Sequence, residues 1–134
     1  MKQTPSQTVG PYFAYSLTSE QYSYNFKQLF DNQMVDSLRI KNVITIIGKI
    51  FDGEGVVIPD AIVEIWDAQN KLFGRFGTGT DPENRFIFKT IKPKSMDGQA
   101  PHLSVIVLMR GQLIHSYTRI YFSDEAELNE QHET

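Results

Sequence analysis

The histidines and arginines are the side chains in this sequence best suited to chemistry. His102 and Ser104 stand two apart in the β-branched run His102-Leu103-Ser104-Val105-Ile106-Val107. A strand repeats every two residues, so both side chains point to one face. A second imidazole at position 104 would complete a metal-binding pair, but the serine leaves a single ligand. His115, expected on the next strand, has no carboxylate at ligand spacing, and His132 lies in an acidic tail. The histidines therefore read as structural or solvated groups. Arg75, Arg85, Arg110 and Arg119 each offer a planar fork that fits a carboxylate. Most such arginines at strand edges pair with a surface acid, and composition does not choose among the four.

Other chemistries are excluded by what the 134 residues lack. There is no cysteine, which removes disulfides, thiolate zinc, iron-sulfur ligation and a thiol nucleophile. Gly-x-Ser-x-Gly is absent, so no serine nucleophile elbow is present. Gly74-Arg75-Phe76-Gly77-Thr78-Gly79 has no lysine in Walker spacing and reads as a turn. Lys and Arg total 13 against 16 Asp and Glu, a formal charge of -3 that supplies no field for nucleic acid. No apolar run has the length of a signal peptide or a membrane span, so a soluble, cytoplasmic protein without membrane contact is expected.

The elements that must position these groups are mainly strands. Val43 to Phe51, Ala61 to Trp66, Arg85 to Thr90, His102 to Met109 and Leu113 to Phe122 are β-branched or alternating, and Asp52-Gly53-Glu54-Gly55 is a strong turn. The last two runs form a hairpin around Arg110-Gly111-Gln112. Thr4 to Tyr12, with Pro5, Gly10 and Pro11, reads as an extended arm. Phe26, Leu29 and Phe30 are at helical spacing, which suggests a short helix or irregular cover. Asp124 with Glu127 resembles a capping box, so a short helix should follow in the acidic stretch from 123 to 134. At least five strands without a long helical pattern between them imply an all-β antiparallel sandwich or barrel.

Several motifs then occur together. They are Thr4-Pro5-Ser6-Gln7-Thr8-Val9-Gly10-Pro11-Tyr12, Ile47-Gly48-Lys49-Ile50-Phe51-Asp52-Gly53, Val63-Glu64-Ile65-Trp66, Thr90-Ile91-Lys92-Pro93, Ala100-Pro101-His102 and Tyr117-Thr118-Arg119-Ile120-Tyr121-Phe122. In order and approximate spacing this set resembles the intradiol ring-cleavage dioxygenases, and within them the alpha subunits, over nearly the whole chain.

The resemblance implies a single-domain β-sandwich of the intradiol type with short helical segments. Its parts would be an arm at 1–15, a core at 42–122 and an acidic helix or tail at 123–134. It implies a hetero-oligomer in which a catalytic beta subunit holds Fe(III) with two tyrosines and two histidines. The implied substrate is protocatechuate, a small aromatic opened between its hydroxyls to 3-carboxy-cis,cis-muconate in the beta-ketoadipate route of aromatic catabolism. At the positions matching those ligands this chain offers Phe73, Lys94-Ser95-Met96, His102 and Ser104. One ligand of four remains, which implies no metal and no catalytic residue in this chain, and no activity alone. Thr8, Gly10, Pro11, Tyr12 and Arg110 match residues that line the partner's site. The segment after Trp66 is shorter than usual, and the family's further C-terminal strand would lie beyond Thr134, so an uncovered sheet edge prone to self-association is expected. The rival reading is a free-standing β-sandwich binding module with no catalytic partner.

Overall fold

The computed structural model describes residues 8–130. Thr4 to Gln7 of the arm, and His132, lie outside the described residues. Pro11–Leu17 form α1, and Ser19–Tyr22 continue it as a 3-10 turn. Six strands follow: β1 (Val43–Lys49), β2 (Ile62–Asp67), β3 (Leu72–Gly77), β4 (Arg85–Ile91), β5 (His102–Leu108) and β6 (Ser116–Tyr121). The 3-10 turn Ser123–Glu125 and the short helix α2 (Ala126–Glu130) come last. The pair β1-β4 faces a four-stranded sheet in the order β3-β2-β5-β6, and every pairing between strands is antiparallel. Of the sandwich and the barrel that the strand pattern allows, the chain forms the all-β sandwich.

The core lies between the sheets because alternate residues of β2, β4 and β5 are apolar and buried. Val63 and Ile65 of β2, Leu103, Val105 and Val107 of β5, and Phe86 and Phe88 of β4 meet there with Met34, Ile58 and Ala61. Fully burying one such side chain contributes about 1.5–3 kcal/mol, so this one face of each sheet dominates cohesion. Residues 31–34 stitch the two sheets at one edge. The Arg75 amide of β3 donates to the Asp31 carbonyl at 2.9 Å, and the Met34 amide donates to the Lys89 carbonyl of β4 at 2.9 Å.

Several local expectations are corrected. Gly74 to Gly77 belong to β3 rather than to a turn, since a methyl built on Gly74 would sit 2.6 Å from Met34 Cγ. Glycine is there for a close approach between elements, not for a reversal of the chain. The helix near the N-terminus is α1, because Gly10 takes an extended N-cap conformation and proline is tolerated at the first helical position. Of the two readings for Phe26, Leu29 and Phe30, the irregular one holds: all three lie outside helices and are exposed. His115 is in the connection before β6, not on the strand. Asp124 does not cap a helix, as its carboxylate accepts instead from Lys92 Nζ at 2.8 Å.

Candidate functional site

The residues singled out by the sequence lie on the outer face of the four-stranded sheet or at its end. The register settles which residues share a row. Trp66 pairs with Phe73 on one side and Ser104 on the other, and Ser104 pairs with Arg119. One row therefore reads Phe73, Trp66, Ser104, Arg119. The next reads Arg75, Glu64, Ile106, Tyr117 by the same pairings. A third row, Gly77, Ile62, Leu108, is roofed by the N-terminal elements. There the Gln21 side chain accepts from the Gly77 amide at 2.8 Å and donates to the Gly77 carbonyl at 3.1 Å.

The first two rows remain open and form a groove of about 340 Å³ lined by Glu64, Trp66, Phe73, Ser104, Ile106 and Tyr117. The Tyr117 hydroxyl donates to Ser104 Oγ at 3.1 Å. The Ser104 hydroxyl, which can turn to donate to the ionised oxygen, and then the Arg119 guanidinium hold the Tyr117 phenol below the usual tyrosine range. Glu64 Oε1 accepts from Arg75 Nε and Nη2, both at 2.7 Å, and this pair is largely shielded from solvent. The Phe30 and Phe73 rings meet edge to face at 4.6 Å, with the Arg75 guanidinium 5.7 Å from each centroid.

His102 follows Ser104 on the same face, in a shallow hollow with Asp67, Gln69, Lys94 and Met96. The sheet thus gathers the positions that the resemblance marks as metal ligands, but their chemistry does not fit Fe(III). His102 Nδ1 is 2.9 Å from the Ala100 carbonyl, which leaves one ring nitrogen. Ser104 already holds a phenol, and Phe73 has no donor atom. Among the described residues no three of His, Cys, Asp and Glu come together as ligands. A ferric centre stabilised by phenolates and imidazoles has too few partners here.

The residues expected to reach a partner's site sit at the end of the molecule beyond the roofed row. Thr8 is extended and exposed, Gly10 caps α1, Pro11 begins it, and Tyr12 is 81% exposed. An aromatic chain leads inward from Tyr12. Its ring meets Tyr15 at 6.1 Å, and Tyr15 meets Tyr22 at 4.8 Å, both edge to face. Burial, then Tyr15, then Asp60 push the Tyr22 phenol above its usual range, and the Tyr22 hydroxyl and the carbonyl of Pro59, the residue before Asp60, both lie against Gly79, 2.5 and 3.1 Å from where a methyl on it would stand. Asp60 in turn holds Arg110, accepting from Nε at 2.8 Å and from Nη2 at 2.5 Å. This pairing raises the Arg110 guanidinium still further above neutrality and leaves Nη1 without an acceptor among the described residues. Gly111, with φ at 82°, makes the sharp turn that follows.

Arg110 and the arm thus share one end, linked through Tyr15, Tyr22 and Asp60. Asp60 escaped sequence reasoning because it lies 50 residues from Arg110, and Pro59-Asp60 reads only as a strand boundary. Tyr117 and Trp66 could have been placed on the face of Ser104 by period-two counting, had the register been known.

No protein-family model matches the chain. Among curated proteins it is 42% identical to the protocatechuate 3,4-dioxygenase alpha chain of Burkholderia cepacia, over 96% of this chain and 74% of that one. It is 31% identical to the chain of the same name from Pseudomonas putida, again over 96% and 74%. Among solved structures, an intradiol ring-cleavage dioxygenase from Tetranychus urticae superposes with a TM-score of 0.58 at 17% identity, covering 83% of this chain and 70% of the other.

Proposed function

Because the chain belongs to the family of protocatechuate 3,4-dioxygenase alpha chains, we propose that it is the iron-free subunit of an enzyme that opens protocatechuate between its two hydroxyls. The observation that carries this reading is the 42% identity extending over 96% of the chain, beyond what a shared sandwich fold produces. Nothing favours a free-standing binding module. In the proposed complex a beta subunit holds Fe(III), which supplies the oxygen chemistry. This chain contributes position and charge.

Protocatechuate carries a ring carboxylate that must be held away from the hydroxyls being cleaved. Arg110 suits that task, since Asp60 fixes one edge of its guanidinium through Nε and Nη2 and the third nitrogen remains able to donate. Thr8 to Tyr12 stand at the same end. Gly10 lets the backbone approach closely, and exposed Tyr12 offers a ring and a hydroxyl to a neighbour.

The test is steady-state kinetics on the coexpressed complex, with iron content and assembly measured. Arg110→Ala is expected to lower kcat/KM for protocatechuate about 10- to 100-fold, and for catechol, which has no carboxylate, far less. Equal losses on both substrates, or none, would overturn the role of Arg110. A complex with no iron-bearing partner would overturn the subunit reading itself.

A further inference from the structure

Arg110 and its partner lie just beyond the end of the sheet. Ile62 of β2 is opposite Leu108 of β5, and the same register continued by two residues sets Asp60 across from Arg110. β2 begins only at Ile62, so strand pairing does not hold the Pro59-Asp60 peptide. Its place must be fixed by other contacts.

Those contacts converge on Thr78, a fully buried residue that opens the 3-10 turn Thr78–Thr80 after β3. The Thr78 hydroxyl accepts from the Ala61 amide at 3.0 Å and donates to the Ile58 carbonyl at 3.3 Å. The Thr78 amide donates to the Ala61 carbonyl at 2.8 Å. Three bonds from one residue thus bracket Pro59 and Asp60 from both sides. Ala61 is fully buried as well, so without the hydroxyl its amide would lose its acceptor where water does not reach.

The N-terminal elements grip the same segment from its other side. Gln21 holds both polar groups of Gly77 and donates to Thr80 Oγ1 at 2.9 Å. The Tyr22 hydroxyl and the Pro59 carbonyl close on Gly79 and leave no room there for a methyl. Residues 77–80 therefore stand between the turn that follows α1 and the loop that carries Asp60.

We propose that Thr78 is a positioning residue, whose hydroxyl fixes Asp60 and, through Asp60, the direction in which Arg110 presents its remaining nitrogen. The consequence for catalysis rests on the reading of Arg110 given above. The positioning is a property of this chain alone and is measured without a partner.

The readout in the full chain is solvent exchange of the Arg110 Nε–H, which donates to Asp60 at 2.8 Å, followed by nuclear magnetic resonance. Thr78→Val keeps the side-chain volume, removes the hydroxyl and should speed that exchange about tenfold. Thr78→Ser keeps the hydroxyl and should stay within about twofold of the wild type. The Arg75 Nε–H, held by Glu64 on the same sheet, is the internal control and should not change. Gln21→Ala loosens residues 77–80 without touching the buried hydroxyl and should speed Arg110 exchange about threefold, which keeps the proposal testable should Thr78→Val misfold. In the coexpressed complex, with iron content checked, Thr78→Val should raise KM for protocatechuate about 3- to 10-fold and add nothing to Arg110→Ala. The proposal is overturned by a folded Thr78→Val that leaves Arg110 exchange unchanged or speeds Arg75 equally, by Thr78→Ser behaving as Thr78→Val, or by Gln21→Ala without effect. An unchanged KM in Thr78→Val, where Arg110→Ala is impaired, overturns it too. Equal losses of Arg110→Ala on protocatechuate and catechol would instead refute the reading of Arg110 and leave the exchange result standing.

Discussion

Gly74→Ala tests how tightly the sandwich closes over β3. The added methyl would stand 2.6 Å from Met34 Cγ and 3.0 and 3.1 Å from Cδ1 and Cε1 of Phe88. Carbon atoms settle at about 3.5–4.0 Å, so its neighbours must give way by most of an ångström. Phe88 has no room to do so, being fully buried with Phe76 at 6.3 Å and Phe86 at 6.1 Å. Overpacking of this kind costs about 1–3 kcal/mol, and replacing glycine within a strand returns at most about 1 kcal/mol. A net loss of about 1–2 kcal/mol is expected, or roughly 3–8 °C in Tm for a chain of this length. Urea unfolding followed by Trp66 emission measures it. Met34→Ala alone should cost about 2–5 kcal/mol. In the double variant the new methyl moves into vacated space, so the two losses should sum to less than their separate values by about 1 kcal/mol. A neutral Gly74→Ala, or strict additivity with Met34→Ala, would refute the close approach of β3 to Met34 and Phe88.

Two further outcomes follow from polar contacts. Hydrogen bonds from the Arg85 side chain, opposed by desolvation and joined by the backbone amides of Arg85 and Glu83, lower the Asp81 carboxyl to about 2. A depressed folded value means a stabilising contribution present above the unfolded pKa and lost as the pH falls from about 4 towards 2. Asp81→Asn should therefore flatten that acid limb of a stability profile measured by chemical denaturation, and an unchanged limb would count against the pairing. Gln21→Ala removes both partners of the Gly77 peptide and a bond to Thr80 Oγ1 at 2.9 Å. It should cost about 1–3 kcal/mol and speed hydrogen exchange at Gly77, whereas unaltered exchange there would show that the N-terminal turn does not clamp β3.

The legible parts of this molecule were those whose signal is local. β1, β2, β4 and β5 follow from β-branched runs because alternation on a half-buried sheet is written into neighbouring residues. β3 was hidden because its glycines answer to Met34, Phe88 and Thr18, which are distant in sequence. α1 was hidden for the opposite reason. Its one strong signal, Gly10-Pro11, was absorbed into the reading of an extended arm, although proline at a first helical turn is a start signal as much as a stiffener. Phe26, Leu29 and Phe30 have helical spacing but stay exposed in irregular backbone, and Phe30 is held instead by a contact with Phe73 that is distant in sequence. At the candidate site the arm and Arg110 came from resemblance alone. The residue that orients Arg110 is set by tertiary contact across 50 positions, which spacing does not reveal.

The same register explains how this chain can keep the fold while its face lacks ligands. Phe73 and Ser104, the positions that the resemblance matches to metal ligands, flank Trp66 in one row and face outward, while His102 lies beyond Ser104 on the same side. Their immediate neighbours in sequence, Gly74, Leu103 and Val105, are buried on the inner side. Because a strand repeats every two residues, the coordination chemistry and the hydrophobic core occupy opposite faces of the same strands. A change from phenol to phenyl at 73, or from imidazole to hydroxyl at 104, removes donors without opening a cavity between the sheets. What it does alter is the outer surface, where Phe73 now packs on Phe30 and Ser104 takes the Tyr117 hydroxyl. Phe73 and Ser104 thus have partners of their own on an aromatic face beside Arg119, which has no carboxylate partner among the described residues.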